Sequence, residues 1–252
     1  MDKKSILSAI SKAREVSKKR NFSQSFDLII NLKNLNLKNP AHKVDLFIPL
    51  SHPKGKPSKI AALVDEELKT QSKSLFNTTI LKADFSKLDK KKLKKLAAEH
   101  DFFVAQATIM PQVATIFGKV LGPKGKMPNP KAGCVVPPNA NLQVLKERLS
   151  KLVYLTTKNE LIVRTSIGNE SMKDEDIEEN IVNLYNALLH SLPQEKNNIK
   201  SVLVKLSMGP AVQITDSEPL VRLHEKKSKK QKETSKEEKK WKLTFQMLKR
   251  KK

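Results

Sequence analysis

The sequence predicts a two-domain protein of mixed α+β and α/β class: an interrupted α+β sandwich domain into which a smaller, Rossmann-like α/β domain is inserted. Three observations lead there. Residues 57–151 alternate short apolar strands with helical patterns, as a parallel-sheet unit does. The stretches on either side share another style, an amphipathic helix beside longer apolar strands. Between them, Ser51-His52-Pro53-Lys54-Gly55-Lys56-Pro57 carries two prolines and a glycine, the composition of a linker. The expected layout is 1–56 with 152–223 as one discontinuous domain and 57–151 as the insert. Residues 224–252 read as a lysine-rich tail of low complexity, disordered when free.

The elements follow in order. Residues 5–17 read as a helix, with Ile6, Ile10, Ala13 and Val16 on one face. A polar break, 20–25, surrounds Phe22. Phe26–Leu32 and Val44–Leu50 read as strands, the second ending at Pro49. In the insert, strands are expected at 60–64, 78–81 and 101–106, and helices at 65–73, 87–100 and 109–121. The helix over 87–100 points Leu88, Leu93 and Leu96 inward and leaves Lys90-Lys91-Lys92 and Lys94-Lys95 on its wet face. Pro111 suits a first helical turn. Asn139 is the expected cap of a helix reaching about Ser150. Beyond it come a strand over 160–167, a helix over 174–190 with acids in its first turn, and a strand over 200–208.

Composition narrows the function. With 38% hydrophobic and 5% aromatic residues, the cores must be built from Leu, Ile, Val and Ala. The formal charge is +23. Residues 224–252 hold thirteen basic and four acidic side chains, so a surplus of fourteen remains in the body. A surplus of that size implies a polyanionic partner, nucleic acid before membrane. No apolar run approaches the ~20 residues of a spanning helix, and the first residues lack the apolar stretch of a secretion signal. The lone Cys134 excludes an intrachain disulfide and fits a reducing compartment. The expectation is a cytoplasmic protein without a membrane partner.

Residues 115–138, TIFGKVLGPKGKMPNPKAGCVVPP, concentrate four of the 7 glycines and hold Lys119, Lys124, Lys126 and Lys131. Glycine permits close approach, proline stiffens, and lysine attracts phosphate, so the stretch reads as a rigid basic loop projecting from the insert, facing RNA or tRNA. A merely solvated loop is the plainer alternative. It is no nucleotide loop of known type. A phosphate-binding loop needs Gly five residues before Gly125-Lys126 and a hydroxyl after; Val120 and Met127 stand there. The spacing Gly118, Gly122, Gly125 also misses the dinucleotide pattern. His42, His52, His100, His190 and His224 form no ligand spacing, and no nucleophile elbow exists, so no catalytic residue, metal or cofactor is expected.

GKVLGPKGKMPNPKAG closely resembles the signature of the L-one family of large-subunit ribosomal proteins. Ser207-Met208-Gly209-Pro210 resembles the family's second signature, the turn after the last strand, and Asn21-Phe22-Ser23-Gln24-Ser25-Phe26-Asp27 its RNA-contacting segment. The similarity runs in order over about residues 3–215. It implies the interrupted two-domain layout and a non-enzymatic, ribosome-associated protein that acts as a monomer within the ribosome. The implied partners are the large-subunit rRNA stalk, exit-site tRNA and the protein's own messenger, whose translation some members repress. Carried over by position, the implied rRNA-binding residues are Phe22, Ser25, Asp27, Ser201, Ser207, Met208, Gly209 and Pro210. Many relatives have threonine where Ser207 stands, but the hydroxyl is kept. The tail after 223 has no precedent in the compact family core. Two other readings remain open: a ribosome-assembly factor of the same fold, and a nucleotide-binding enzyme using the glycine-rich stretch.

Overall fold

The computed structural model describes residues 2–39, 42–87, 89–157, 160–215 and 220–222. Leu88 and the tail, with its basic run and Trp241, lie outside them.

Among the described residues, eleven strands and six helices build two separate sets of layers. In the first, helix α1 (Lys3–Val16) precedes strand β1 (Ser25–Leu32) and a short strand β2 (Asp45–Pro49). The chain returns with β7 (Leu152–Thr156), β8 (Ile162–Asn169), α6 (Asp174–Ser191), β9 (Ile199–Leu206), β10 (Ala211–Ile214) and β11 (Leu220–Arg222). Five strands form an antiparallel sheet in the order β11-β10-β9-β1-β8. β1 lies in its middle and alternates strictly: Phe26, Leu28, Ile30 and Leu32 are buried, while Ser25, Asp27, Ile29 and Asn31 face the other way, half-buried. The buried side packs under α1 and α6 through Ile6, Ile10, Ile177, Ile181 and Leu184. Val16, expected on the inner face of α1, is 40% exposed; Ala9 takes the inner place instead.

The second set holds β3 (Ile60–Val64), α2 (Lys69–Leu75), β4 (Thr78–Leu81), α3 (Lys90–Glu99), β5 (Phe102–Gln106), α4 (Met110–Lys124), β6 (Val135–Val136) and α5 (Leu142–Lys151). Its sheet is parallel throughout, ordered β4-β3-β5-β6. All five residues of β3 are buried because helices cover both faces: Ile60, Ala62 and Val64 join the core with Leu145 and Leu149 of α5, and Ala61 and Leu63 join Leu93 and Phe117 of α3 and α4. Among the described residues, β2 and β7 pair only with each other, as the antiparallel ribbon through which the chain leaves one set and re-enters it. Leu50 N–H donates to Lys151 O at 2.9 Å at the far end of that ribbon.

Several boundaries differ from expectation, each for a local reason. α4 continues past Leu121 through Gly122-Pro123 to Lys124. A proline in the last turn forfeits one hydrogen bond, and the end is closed by Gly125 in the left-handed region (φ 67°). Gly125 N–H donates to Gly122 O at 2.9 Å and Lys126 N–H to Leu121 O at 3.1 Å, a Schellman cap. Asn141, not Asn139, caps α5, its side chain accepting from Gln143 N–H at 3.0 Å. β6, β7, β10 and β11 were not expected.

Cys134 is 3% exposed, and burial pushes its thiol up to about 11, with a backbone hydrogen bond from Asn129 and the charge of Arg148 pulling weakly the other way. A protonated, covered thiol is a poor nucleophile. Disulfide reagents at neutral pH should therefore label the folded protein slowly and the urea-unfolded protein at once. Equal rates would contradict the packing around β6.

Candidate RNA-binding platform

The residues singled out near the two ends of the sequence meet at one end of the five-stranded sheet. Because β1 and β9 are antiparallel neighbours, the start of β1 lies beside the end of β9, with Phe26 opposite Leu206. The segments entering β1 and leaving β9 are then tied together. Ser207 donates twice to Ser25 O, from its N–H at 3.0 Å and its hydroxyl at 3.1 Å. Met208 N–H donates to Gln24 Oε1 at 3.3 Å, and Gly209 N–H to Leu206 O at 2.9 Å. The result is a tight turn, 206–210, seated on residues 24–25.

Two large apolar side chains stand out from this corner: Phe22 is 55% exposed and Met208 62%. Neither belongs to the core, and an exposed aromatic beside a flexible thioether suits a base or ribose face. Asp27 and Ser25 continue the surface along β1. Asp27 lies across from Lys205 on one side and Ser166 on the other. Burial raises its carboxyl above the usual carboxylate range, and the Lys205 charge only partly offsets that. The folded state thus holds this proton to higher pH than the unfolded chain, so the ionised carboxylate costs stability at neutral pH and the cost disappears below about pH 4. Asp27→Asn should melt higher than the natural protein at pH 7 and level with it at pH 3. An unchanged or lower melting temperature at pH 7 would contradict this.

One residue of the expected set stands apart. Ser201 lies six positions before Ser207 on β9, about 20 Å away at strand rise. It is buried, and its hydroxyl accepts from Asn31 Nδ2 at 2.8 Å. Pro210 closes the turn and leads into β10.

Sequence reading missed the residues that hold the corner rigid. Gln24 is 1% exposed; besides Met208, it reaches Lys18 O at 3.3 Å, and its backbone exchanges hydrogen bonds with Glu170 at 2.8 and 3.1 Å. Arg14 fixes the same β8–α6 loop. Its guanidinium donates to Asp174 Oδ1, Glu170 O and Met172 O between 2.6 and 2.9 Å and lies 4.9 Å over the Phe26 ring. Asp174, expected to serve the helix dipole, also anchors this fork. An arginine seven residues from the nearest motif carries no local mark of such a role.

The lysines of 115–138 do not share one projecting loop. Lys119 sits on α4, and Lys124 ends that helix. Lys126 donates to His100 O at 2.6 Å, and exposed Lys131 lies in a short 3-10 turn closed by Gly133 (φ 75°). Gly125 and Gly133 are here because left-handed caps need them, not because a ligand must approach. The carboxyl ends of β3 and β5, where a doubly wound sheet would place a nucleotide, instead carry Asp65, Glu66 and Glu67. Gln106 fills the switch point, accepting from Asp65 N–H and donating to Glu67, both at 3.0 Å. Three acids would repel a phosphate. Among the described residues, no group of His, Cys, Asp and Glu could hold a metal ion, and no helix is long and apolar enough to cross a membrane.

The family description "Ribosomal protein L1p/L10e family" matches residues 12–210, from α1 to the final residue of the turn on the platform. The chain belongs to this family. Its relatives are archaeal ribosomal proteins described as "Large ribosomal subunit protein uL1". That of Methanothermococcus thermolithotrophicus is 43% identical over 216 residues, 85% of this chain and 99% of its own. That of Methanocaldococcus jannaschii is 40% identical over 216 residues, 85% and 96%. That of Nanoarchaeum equitans is 43% identical over 209 residues, 81% and 97%. The chain is thus a ribosomal protein of archaeal L1 type, and the expected resemblance and fold class agree with these matches.

Proposed function

We propose that this ribosomal protein is a structural constituent of the large subunit that holds the rRNA stalk on the corner formed by residues 22–27 and 207–210. It works in the cytoplasm, on the ribosome. The observation that carries the reading is the convergence of Phe22 and Met208: both are solvent-exposed, they come from opposite ends of the sequence, and they are tied through Gln24. A rigid corner of that kind reads RNA shape and unstacked bases, while the surrounding lysines supply attraction that salt weakens. The division into a platform domain, 1–56 with 152–223, and an inserted domain, 57–151, is part of the proposal. The ribbon of β2 and β7 would let the insert swing toward exit-site tRNA, as two crossing strands make a natural hinge. The same platform would take a stalk-like site in the protein's own messenger and repress its translation.

Met208→Ala should weaken binding to a stalk-RNA fragment by about 1–3 kcal/mol, the worth of covering one exposed apolar side chain, and leave a random duplex bound as before. Filter binding of both RNAs at one fixed salt concentration measures this. Equal loss on both would sink the platform. Retention of the protein in salt-washed mature large subunits separates a constituent from an assembly factor.

A further inference from the structure

The glycine-proline segment has no part in the platform, yet it faces one. A cavity of about 350 Å³ lies between the two sets of layers. One wall is the open side of the five-stranded sheet, at Ser25 and Ser166; another is the hinge ribbon, where Phe47 and Tyr154 stack at 4.6 Å. The opposite wall is residues 124–129 with Phe103 and Cys134, and Lys54 and Lys56 close the remaining side. Four lysines thus face one acid, Asp101. That acid is partly engaged, accepting from Lys59 N–H at 3.1 Å. Lys126 and Lys124 each give one proton to a carbonyl, at 2.6 Å to His100 O and 3.4 Å to Lys94 O, which steadies them and leaves further N–H donors. Burial pulls the Lys54 ammonium below its ordinary pKa, with Asp101 only partly opposing. Positive charge gathered against aromatic walls of low dielectric is costly without an anion. The space equals that of about twelve waters at ~30 Å³ each, ample for a tetrahedral oxyanion and its remaining hydration.

We propose that this cleft is an anion site that takes one phosphate group, gripped by Lys54 and Lys56 of the linker and Lys124 and Lys126 of the glycine-proline segment. The phosphate comes either from the backbone of RNA lying on the adjoining platform, reached past Ser25, or from a free phosphate ion. The RNA source rests on the platform reading above; the free source does not. Either way the anion bridges elements of both sets of layers and favours their approach.

The test compares the natural full-length protein with Lys54→Gln/Lys56→Gln and with Lys90→Gln/Lys91→Gln, which removes equal charge from the exposed face of α3. Melting temperature is measured in inorganic phosphate and in chloride of the same ionic strength, and stalk-RNA affinity is measured across a salt series. A phosphate-specific rise in melting temperature that only the cleft pair loses supports the site. So does a salt slope that only the cleft pair lowers, by about 0.7–0.9 for the one lost phosphate contact. The lowered slope assigns the phosphate to RNA; the lost rise with an unchanged slope assigns it to the free ion. If neither readout separates the two double variants, the site is overturned. Should Met208→Ala still abolish stalk preference in that case, the platform stands without the cleft.

Discussion

Replacing Arg14 by leucine is expected to cost about 3 kcal/mol of unfolding free energy, the largest loss foreseen for any single polar side chain in this protein. The substitution leaves the apolar stem's volume roughly in place, so packing against Phe26 changes little. What goes is a guanidinium whose donors satisfy the Asp174 carboxylate and two backbone carbonyls, Glu170 O and Met172 O, in a partly covered site. Those acceptors lie in the loop joining β8 to α6, and no equivalent donor replaces the lost one. Arg14→Lys should recover only a minor part, since an ammonium cannot fork across three acceptors. Urea unfolding gives the answer as a lower midpoint with an unchanged slope. The effect should reach the RNA as well, because Glu170 is the residue that holds the Gln24 backbone, and Gln24 holds Met208.

Gly209→Val is expected to lower affinity for stalk RNA by about 100-fold, close to 3 kcal/mol, while random duplex binding stays within a few-fold. The reason is space rather than backbone freedom. A β-carbon at 209 would collide with Ser17 Oγ and come within 3.2 Å of Ser17 Cβ and 3.4 Å of Leu206 Cβ. Ser17 Oγ is buried without a hydrogen-bond partner, so for alanine the hydroxyl can turn aside at modest cost. Valine adds two methyl groups against carbon atoms that cannot turn, and the turn 206–210 must lift from α1, carrying Met208 with it. Overpacking of this kind also costs about 1–3 kcal/mol of stability. Combining Ser17→Ala with Gly209→Ala should restore binding lost in Gly209→Ala alone, a coupling that a double-mutant cycle reads directly. Additive losses would place the constraint elsewhere.

Much of the fold was written in the sequence because periodicity and burial coincide. β1 alternates over eight residues and reads as a half-covered strand, and β3 is a continuous apolar run between covered faces. Both were legible for the reason each is buried. β7 was not. Leu142, Leu145, Leu149 and Leu152 continue one helical stripe, and no glycine or proline marks where α5 stops and the strand starts. β10 is four residues long, and only its pairing with β9 defines it. The Gly122-Pro123 pair reads as a helix stop, yet the cap lies one turn later, since a terminal proline sacrifices little.

The candidate site divides the same way. Phe22, Ser25, Asp27 and the 207–210 turn were visible through resemblance, whereas composition alone would have placed Phe22 in a core. The supports were invisible because they act through space: Gln24 reaches across to 208, and Arg14 to 170–174, with no sequence pattern linking them. The shape of 115–138 was misread for a physical reason. Glycine and proline suit a phosphate loop and a helix cap equally well, and only the left-handed φ at Gly125 and Gly133 decides between them.

The central claim is that residues 22–27 and 207–210 present one surface to one RNA element. Photo-crosslinking amino acids placed singly at Phe22 and at Met208, in assembled large subunits, test it most directly. Mapped to nucleotides, both positions should fall on the same stalk helix, within a few nucleotides of each other. Crosslinks to unrelated RNA elements, or to neighbouring proteins from either position, would contradict it.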